Sequence, residues 1–272
     1  MTAELRPALL AVWASFLCRW QEVGRAKVRL LSLLINVATL LIPLLLAQLA
    51  FGSEGFAASG GGEHVVAFVA VGWLALHVAQ SAATGTQSYL RSGNETGVLP
   101  HLCTTRVARW VPIAGVTLFE LATMLILALA ILVVVLLVAG GFPAVSLLSI
   151  PVILLSLVGF AGMGLAWGSV ALVVRQWQVP RLFDSIAFLL AGAAFPIAVL
   201  PAEVRWISYG LPHTYALDAI RHTLLGTPTL IPIWAELIIL SLTAVVAGIG
   251  GVAVFNRLDR YATRHGLVGL YT

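Results

Sequence analysis

Charge is scarce in this sequence. Asp, Glu, Lys and Arg make up 10% of 272 residues, where an ordinary soluble domain carries about 25%, so a soluble globular chain is excluded. Cysteine is nearly absent. Cys18 and Cys103 both fall on the cytoplasmic side of the topology derived below, where thiols stay reduced, and no disulfide framework is expected. No GxxxxGK[ST] phosphate loop occurs, and no polar stretch is long enough to hold a nucleotide-binding domain. His64, His77, His101, His213, His222 and His265 show no HxxxH or HExxH spacing, and no G-x-S-x-G elbow is present. An intramembrane enzyme, such as a lipid-modifying transferase using Glu120, Asp184 or a histidine, therefore has no recognisable constellation behind it.

Apolar residues are what the chain has instead: 60% are hydrophobic and the mean hydropathy is +1.02. Six runs reach the roughly 20 helical residues that a hydrocarbon core needs, at 30–51, 65–84, 111–138, 145–174, 182–200 and 233–255. The expectation is an all-α integral membrane protein of 1–272 as one transmembrane domain. The first run follows residues 1–29 and has no small-residue cleavage site behind it, so it is expected to act as its own signal anchor.

The net charge of +4 comes from loop cations and does not point to nucleic acid. Five Lys and Arg precede the first run. Arg91, Arg106 and Arg109 lie between the second and third, Arg175 and Arg181 between the fourth and fifth, and Arg257, Arg260 and Arg264 after the last. Only Arg205 and Arg221 fall on the other side. Such a split places both termini in the cytoplasm, with the acidic, glycine-rich loop 51–64 outside.

Residues 1–29 hold Leu5, Leu9, Val12, Phe16 and Trp20 at helical spacing, with Trp13 among them and Arg25, Lys27 and Arg29 following. This predicts an amphipathic helix at the cytoplasmic membrane interface. In the cytoplasmic segment 85–110, Ser92, Asn94, Glu95 and Thr96 suggest a helix start and Val98, Leu99 and Leu102 an apolar face. A docking surface and a plain tether fit equally. Glycines 159, 162, 164, 168, 248, 250 and 251 point to close helix packing, and Pro43 and Pro151 to kinks. Glu120 lies deepest of the acidic groups, with a structural hydrogen bond or a proton- or substrate-handling role as its alternatives.

The stretch before the last run breaks the spanning pattern. Pro196, Pro201 and Pro212 interrupt any helix, and Glu203, Arg205, Asp218 and Arg221 punctuate it. Irregular backbone at membrane depth needs protein or water around it, so 201–232 is expected to be a re-entrant extracellular segment of short helices. Asp218 and Arg221 share a helical face, which allows them to pair and brace the segment; an interfacial anchor is the equal alternative for Arg221.

Phe195-Pro196, Leu200-Pro201, Trp206, Leu211-Pro212 and the run YALDAIR at 215–221 resemble the last extracellular region of ABC-2 type transporter permeases. The run ETGVLPHLCTTR at 95–106 resembles that family's coupling segment, departing from it at Pro100. The resemblance spans essentially the whole chain. It implies a permease that dimerises, as a homodimer or with a related partner, and pairs with two separate ATPase subunits that carry the ATP and Mg. This chain would hold no cofactor. Glu95, Gly97, Val98, Leu99, Leu102 and Arg106 would meet the ATPase. Phe195, Pro196, Leu200, Pro201, Trp206, Pro212, Asp218 and Arg221 would form the outer gate, and Asn36, Thr39 and Phe188 would line the path. Export from the plasma (inner) membrane by alternating access is implied. The low aromatic content of the first and fifth runs favours an amphiphilic, drug-like or lipid substrate. A lipid-linked glycan exporter is the alternative, with a channel and an intramembrane enzyme behind it.

Overall fold

The structure is a computed structural model in which residues 2–23, 65–97, 99, 107–138, 145–174, 186 and 190–267 are described. It is helical, without strands among the described residues. Helices with described bounds are α1 (Thr2–Val23), α2 (Val65–Glu95), α3 (Trp110–Val138), α4 (Ser149–Gly168, prolonged by a 3-10 turn at Ser169–Leu172), α5 (Ala202–Gly210), α6 (Pro212–Leu225) and α7 (Ile233–Arg264). Four of them, α2, α3, α4 with its 3-10 turn and α7, are long and apolar enough to cross a membrane. The first run, 30–51, and residues 182–185 and 187–189 of the fifth lie outside the described residues.

The central helix is α2. Its apolar window is 83% buried, against 17% for α3 and α7. Composition explains this. Along α2, Ala67, Ala70, Gly72, Ala79, Ala82, Ala83 and Gly85 let neighbours close in from several sides, as small residues do in lipid. Bulky residues of α3 and α7 such as Ile126, Val134, Leu242 and Ile249 instead remain exposed, as suits a hydrocarbon solvent.

Glycine fixes the tightest helix contact. A Cβ on Gly162 of α4 would overlap the backbone of Ala247, and one on Gly251 of α7 would overlap the carbonyl of Gly162. Gly164 and Gly168 serve the α4–α2 contact in the same way, meeting Ala82 and Thr86. Gly248 and Gly250 face open space, so only part of the glycine pattern is used for packing.

Several boundaries differ from the hydropathy reading. Helix α2 continues past Thr84 to Glu95, and α7 past Phe255 to Arg264, because a helix that leaves the apolar layer can keep its hydrogen bonds while its side chains become polar. Ser92, Asn94, Glu95 and Thr96 therefore end a helix and do not start one: the Thr96 N–H donates to Ser92 O at 2.9 Å, and Gly97 takes the left-handed conformation (φ 74°) that closes helices. Pro151 sits in the first turn of α4, where a missing N–H leaves the ladder intact, and it makes no mid-span kink. Pro43 lies outside the described residues. After Leu190 the chain leaves the helix, so 191–200 is a turn plus a short 3-10 segment, Ile197–Val199, not the end of a span. Gly192 at φ 72° and Pro196 impose that break.

Candidate functional site

At one end of the bundle, α5 and α6 form a tied pair. Pro212 opens α6 at a position that needs no donor. Leu211 N donates to Ser208 O at 3.1 Å, Thr214 Oγ1 donates to the same carbonyl at 2.6 Å, and Tyr215 Oη donates to Tyr209 O at 2.8 Å. These satisfy carbonyls that the end of α5 leaves open. Arg205 Nη2 reaches back to Ala198 O at 2.6 Å and Leu200 O at 2.8 Å, fastening α5 to the 3-10 segment. Gly226, at φ 71°, ends α6, with its N–H on His222 O.

Arg221 is the knot of this assembly. It is 4% exposed, yet its guanidinium is fully engaged with protein. Nε donates to Phe68 O at 3.1 Å, Nη1 to Gly192 O at 2.8 Å and Nη2 to Ala193 O at 2.6 Å. The guanidinium carbon sits 3.5 Å from the centroid of the Phe68 ring, a cation–π contact. One side chain thus joins α6, α2 and the turn after Leu190. Burial pushes its pKa down to about 9, which still leaves it protonated at neutral pH.

Gly72 makes this possible. A Cβ there would overlap both Arg221 Nη2 and Ala193 O. Phe68 is four residues earlier on the same helix, so the absent side chain uncovers the carbonyl that Arg221 approaches. The Phe68 carbonyl can serve its helical partner and Arg221 together, since a carbonyl has two acceptor sites.

Asp218 and Arg221 do not pair, although their spacing allows it. The Asp218 carboxylate accepts the Leu230 N–H at 2.7 Å and so holds the irregular segment that leaves α6. Helical spacing puts two residues on one face but does not choose their partners. Here the buried backbone carbonyls take the guanidinium, while the loop 226–232 takes the carboxylate.

At the opposite end, α1 docks against α3. Gly115 lets the α1 backbone approach, since a Cβ there would overlap Val12 O. Phe16 meets Phe119 edge-on at 5.2 Å between centroids, and Trp20 does so at 6.3 Å. Arg19 lies 3.5 Å from Glu120 and donates to Ser88 Oγ at 3.1 Å, linking α1 to α3 and α2. Glu120 thereby has a structural ion-pair partner. Gly85 on α2 leaves room for the Glu120 side chain. Leu9, Leu10, Trp13 and Trp20 remain exposed, so Val12, Phe16 and Arg19 face protein while another side of the helix is apolar and open. Beside this junction, Arg109 binds Asp259 at 2.9 Å and Thr263 Oγ1 at 3.2 Å, pinning the end of α7.

A family model described as ABC-2 type transporter matches residues 10–225, from within α1 to the end of α6. The chain belongs to the ABC-2 type transporter family. It is accordingly a multi-pass membrane protein of a transport family. No curated protein matches it.

Of the residues expected to form the outer gate of this ABC-2 transporter, Pro196, Asp218 and Arg221 border one cavity. Pro196 is buried, Phe195 and Leu200 are half-buried, and Pro212, Asp218 and Arg221 belong to α6. Pro201 is exposed, and Trp206 projects outward at 69% exposure, away from the knot. Of the coupling residues, Glu95 is exposed and ion-paired with Arg91 at 2.8 Å, Gly97 is the helix stop, and Leu99 is buried with Leu90, Ile113, Leu165 and Phe255. Val98, Pro100, Leu102, Arg106, Asn36, Thr39 and Phe188 lie outside the described residues. Sequence reading missed Phe68, Gly72 and Asp259. For Gly72, a lone glycine four residues after an aromatic in an apolar run was the available signal; for Asp259, an acid placed among Arg257, Arg260 and Arg264.

Proposed function

We propose that the chain is the permease subunit of an ATP-driven exporter of the plasma membrane, with both termini in the cytoplasm. It would act as a dimer with a second permease copy, paired with two ATPase subunits that bind ATP and Mg. The carrying observation is that α2 belongs to both polar assemblies. Phe68 and Gly72 sit in the Arg221 knot, whereas Gly85 and Ser88 sit at the Arg19–Glu120 junction. Twenty helical residues separate Phe68 from Ser88, about 30 Å at 1.5 Å per residue, which matches the hydrocarbon thickness. One unbroken helix thus runs from the end that faces an ATPase to the end that closes the exit.

In this reading, ATP binding favours the closed ATPase pair, and that preference shifts the permease between two states. Leu99 anchors the coupling segment to the bundle, exposed Glu95 and Gly97 present it to the ATPase, and α5–α6 dips into the outer leaflet as a re-entrant gate. The substrate class is amphiphilic. The test is gentle purification from native membranes with identification of copurifying subunits and assay of ATP hydrolysis. A stoichiometric ABC ATPase, lost on Glu95→Lys or Leu99→Asp, is expected; a chain that purifies alone with no ATPase activity would overturn the reading.

A further inference from the structure

A cavity of about 150 Å³ lies between α2 and α4, bordered by the start of α6. It is separate from the Arg221 knot. Its walls are Phe160, Met163 and Trp167 of α4, Gln80 of α2, and His213. The Phe160 and His213 rings stack, with centroids 5.6 Å apart and planes 17° from parallel, so the wall favours a flat partner. Sulfur and indole at Met163 and Trp167 add polarizable surface.

Two polar groups interrupt this apolar lining. Among the described residues nothing hydrogen-bonds the Gln80 amide. His213 Nδ1 is sealed from solvent and also lacks a hydrogen-bond partner. A sealed N–H without an acceptor is costly, so the ring proton belongs on Nε2, leaving that nitrogen a donor. Burial pushes the imidazole pKa down to about 4, so the ring is neutral at physiological pH and holds no attraction for anions. An acyl chain would fill the volume but leave both polar groups unused.

We propose that this cavity binds an uncharged bicyclic aromatic molecule carrying a hydrogen-bond acceptor, lying flat against Phe160 with its edge toward His213, whose ring N–H donates to that acceptor. That such a molecule is cargo rests on the permease reading; that it binds here does not.

Quinoline and naphthalene have nearly the same shape, and only quinoline has an acceptor. The full chain, with any subunit that copurifies, is placed in lipid nanodiscs, and saturable binding of each probe is measured against empty nanodiscs. Quinoline is expected to bind several-fold and up to about tenfold tighter, the span of one net hydrogen bond. His213→Phe keeps an aromatic ring at this wall and abolishes the preference while naphthalene still binds. Met163→Trp fills the cavity and removes saturable binding of both. Equal binding of the two probes by the unaltered chain, a preference untouched by His213→Phe, or no saturable binding because an acyl chain occupies the cavity would each overturn the proposal. None of these measurements involves ATP, so they stand or fall apart from the ATPase copurification.

Discussion

Replacing Arg221 by Met removes the cation while keeping an apolar stem of similar length. The Phe68 carbonyl retains its helical partner, but the carbonyls of Gly192 and Ala193 have no other described acceptor role to fall back on. Each orphaned buried group costs about 1–3 kcal/mol, so the loss is about 4 kcal/mol. The guanidinium's own desolvation offsets part of what its bonds contribute, which is why the orphaned acceptors decide the magnitude. Gly72→Ala leaves Arg221 intact but puts a methyl group where Nη2 lies, and it should displace the guanidinium with a similar loss. For chains near this size about 4 kcal/mol corresponds to roughly 8–16 °C. The assay is residual monodisperse protein after graded heating in detergent, for each variant and for the pair. Both single variants should fall by at least that amount, and the double variant by less than their sum, since they share the Arg221 interaction while the overlap of the new methyl with Ala193 O remains. A neutral Gly72→Ala, or additive losses, would refute the claim that Gly72 exists to admit Arg221.

Two further outcomes test the rest of the assembly. Arg19→Met and Glu120→Gln should each loosen α1 by only about 1 kcal/mol, because the pair is partly exposed and screened. Gly115→Val, which overlaps the α1 backbone, should detach the helix outright; protease cutting near residue 24 should therefore rise slightly in the first two and sharply in the third, and an equal rise in all three would count against the packing at Gly115. Gly162→Val or Gly251→Val should abolish membrane accumulation of folded protein because backbone meets backbone there, whereas Gly250→Ala, facing open space, should accumulate normally.

The membrane class was settled by composition, since a chain with this little charge and this many apolar runs has no other stable solvent. The first helix was legible from the spacing of Val12, Phe16 and Trp20, and the helix breaks before the last span from Pro196, Pro201 and Pro212, because these are local properties of a few neighbouring residues. Helix ends were less so: hydropathy marks where a run stops being apolar, and α2 and α7 keep their backbone hydrogen bonds well beyond that point.

What only the tertiary structure decided is who meets whom. Arg221 finds Phe68 across 153 positions of chain, and nothing within its own helix announces that partner; local spacing pointed to Asp218. Glu120 finds Arg19 in the same way, and Gly162 finds Gly251. In each case the choice follows from which surfaces the packing brings within hydrogen-bond or van der Waals distance, so sequence determined the elements and their solvent, while packing alone determined the knot, the junction and the cavity.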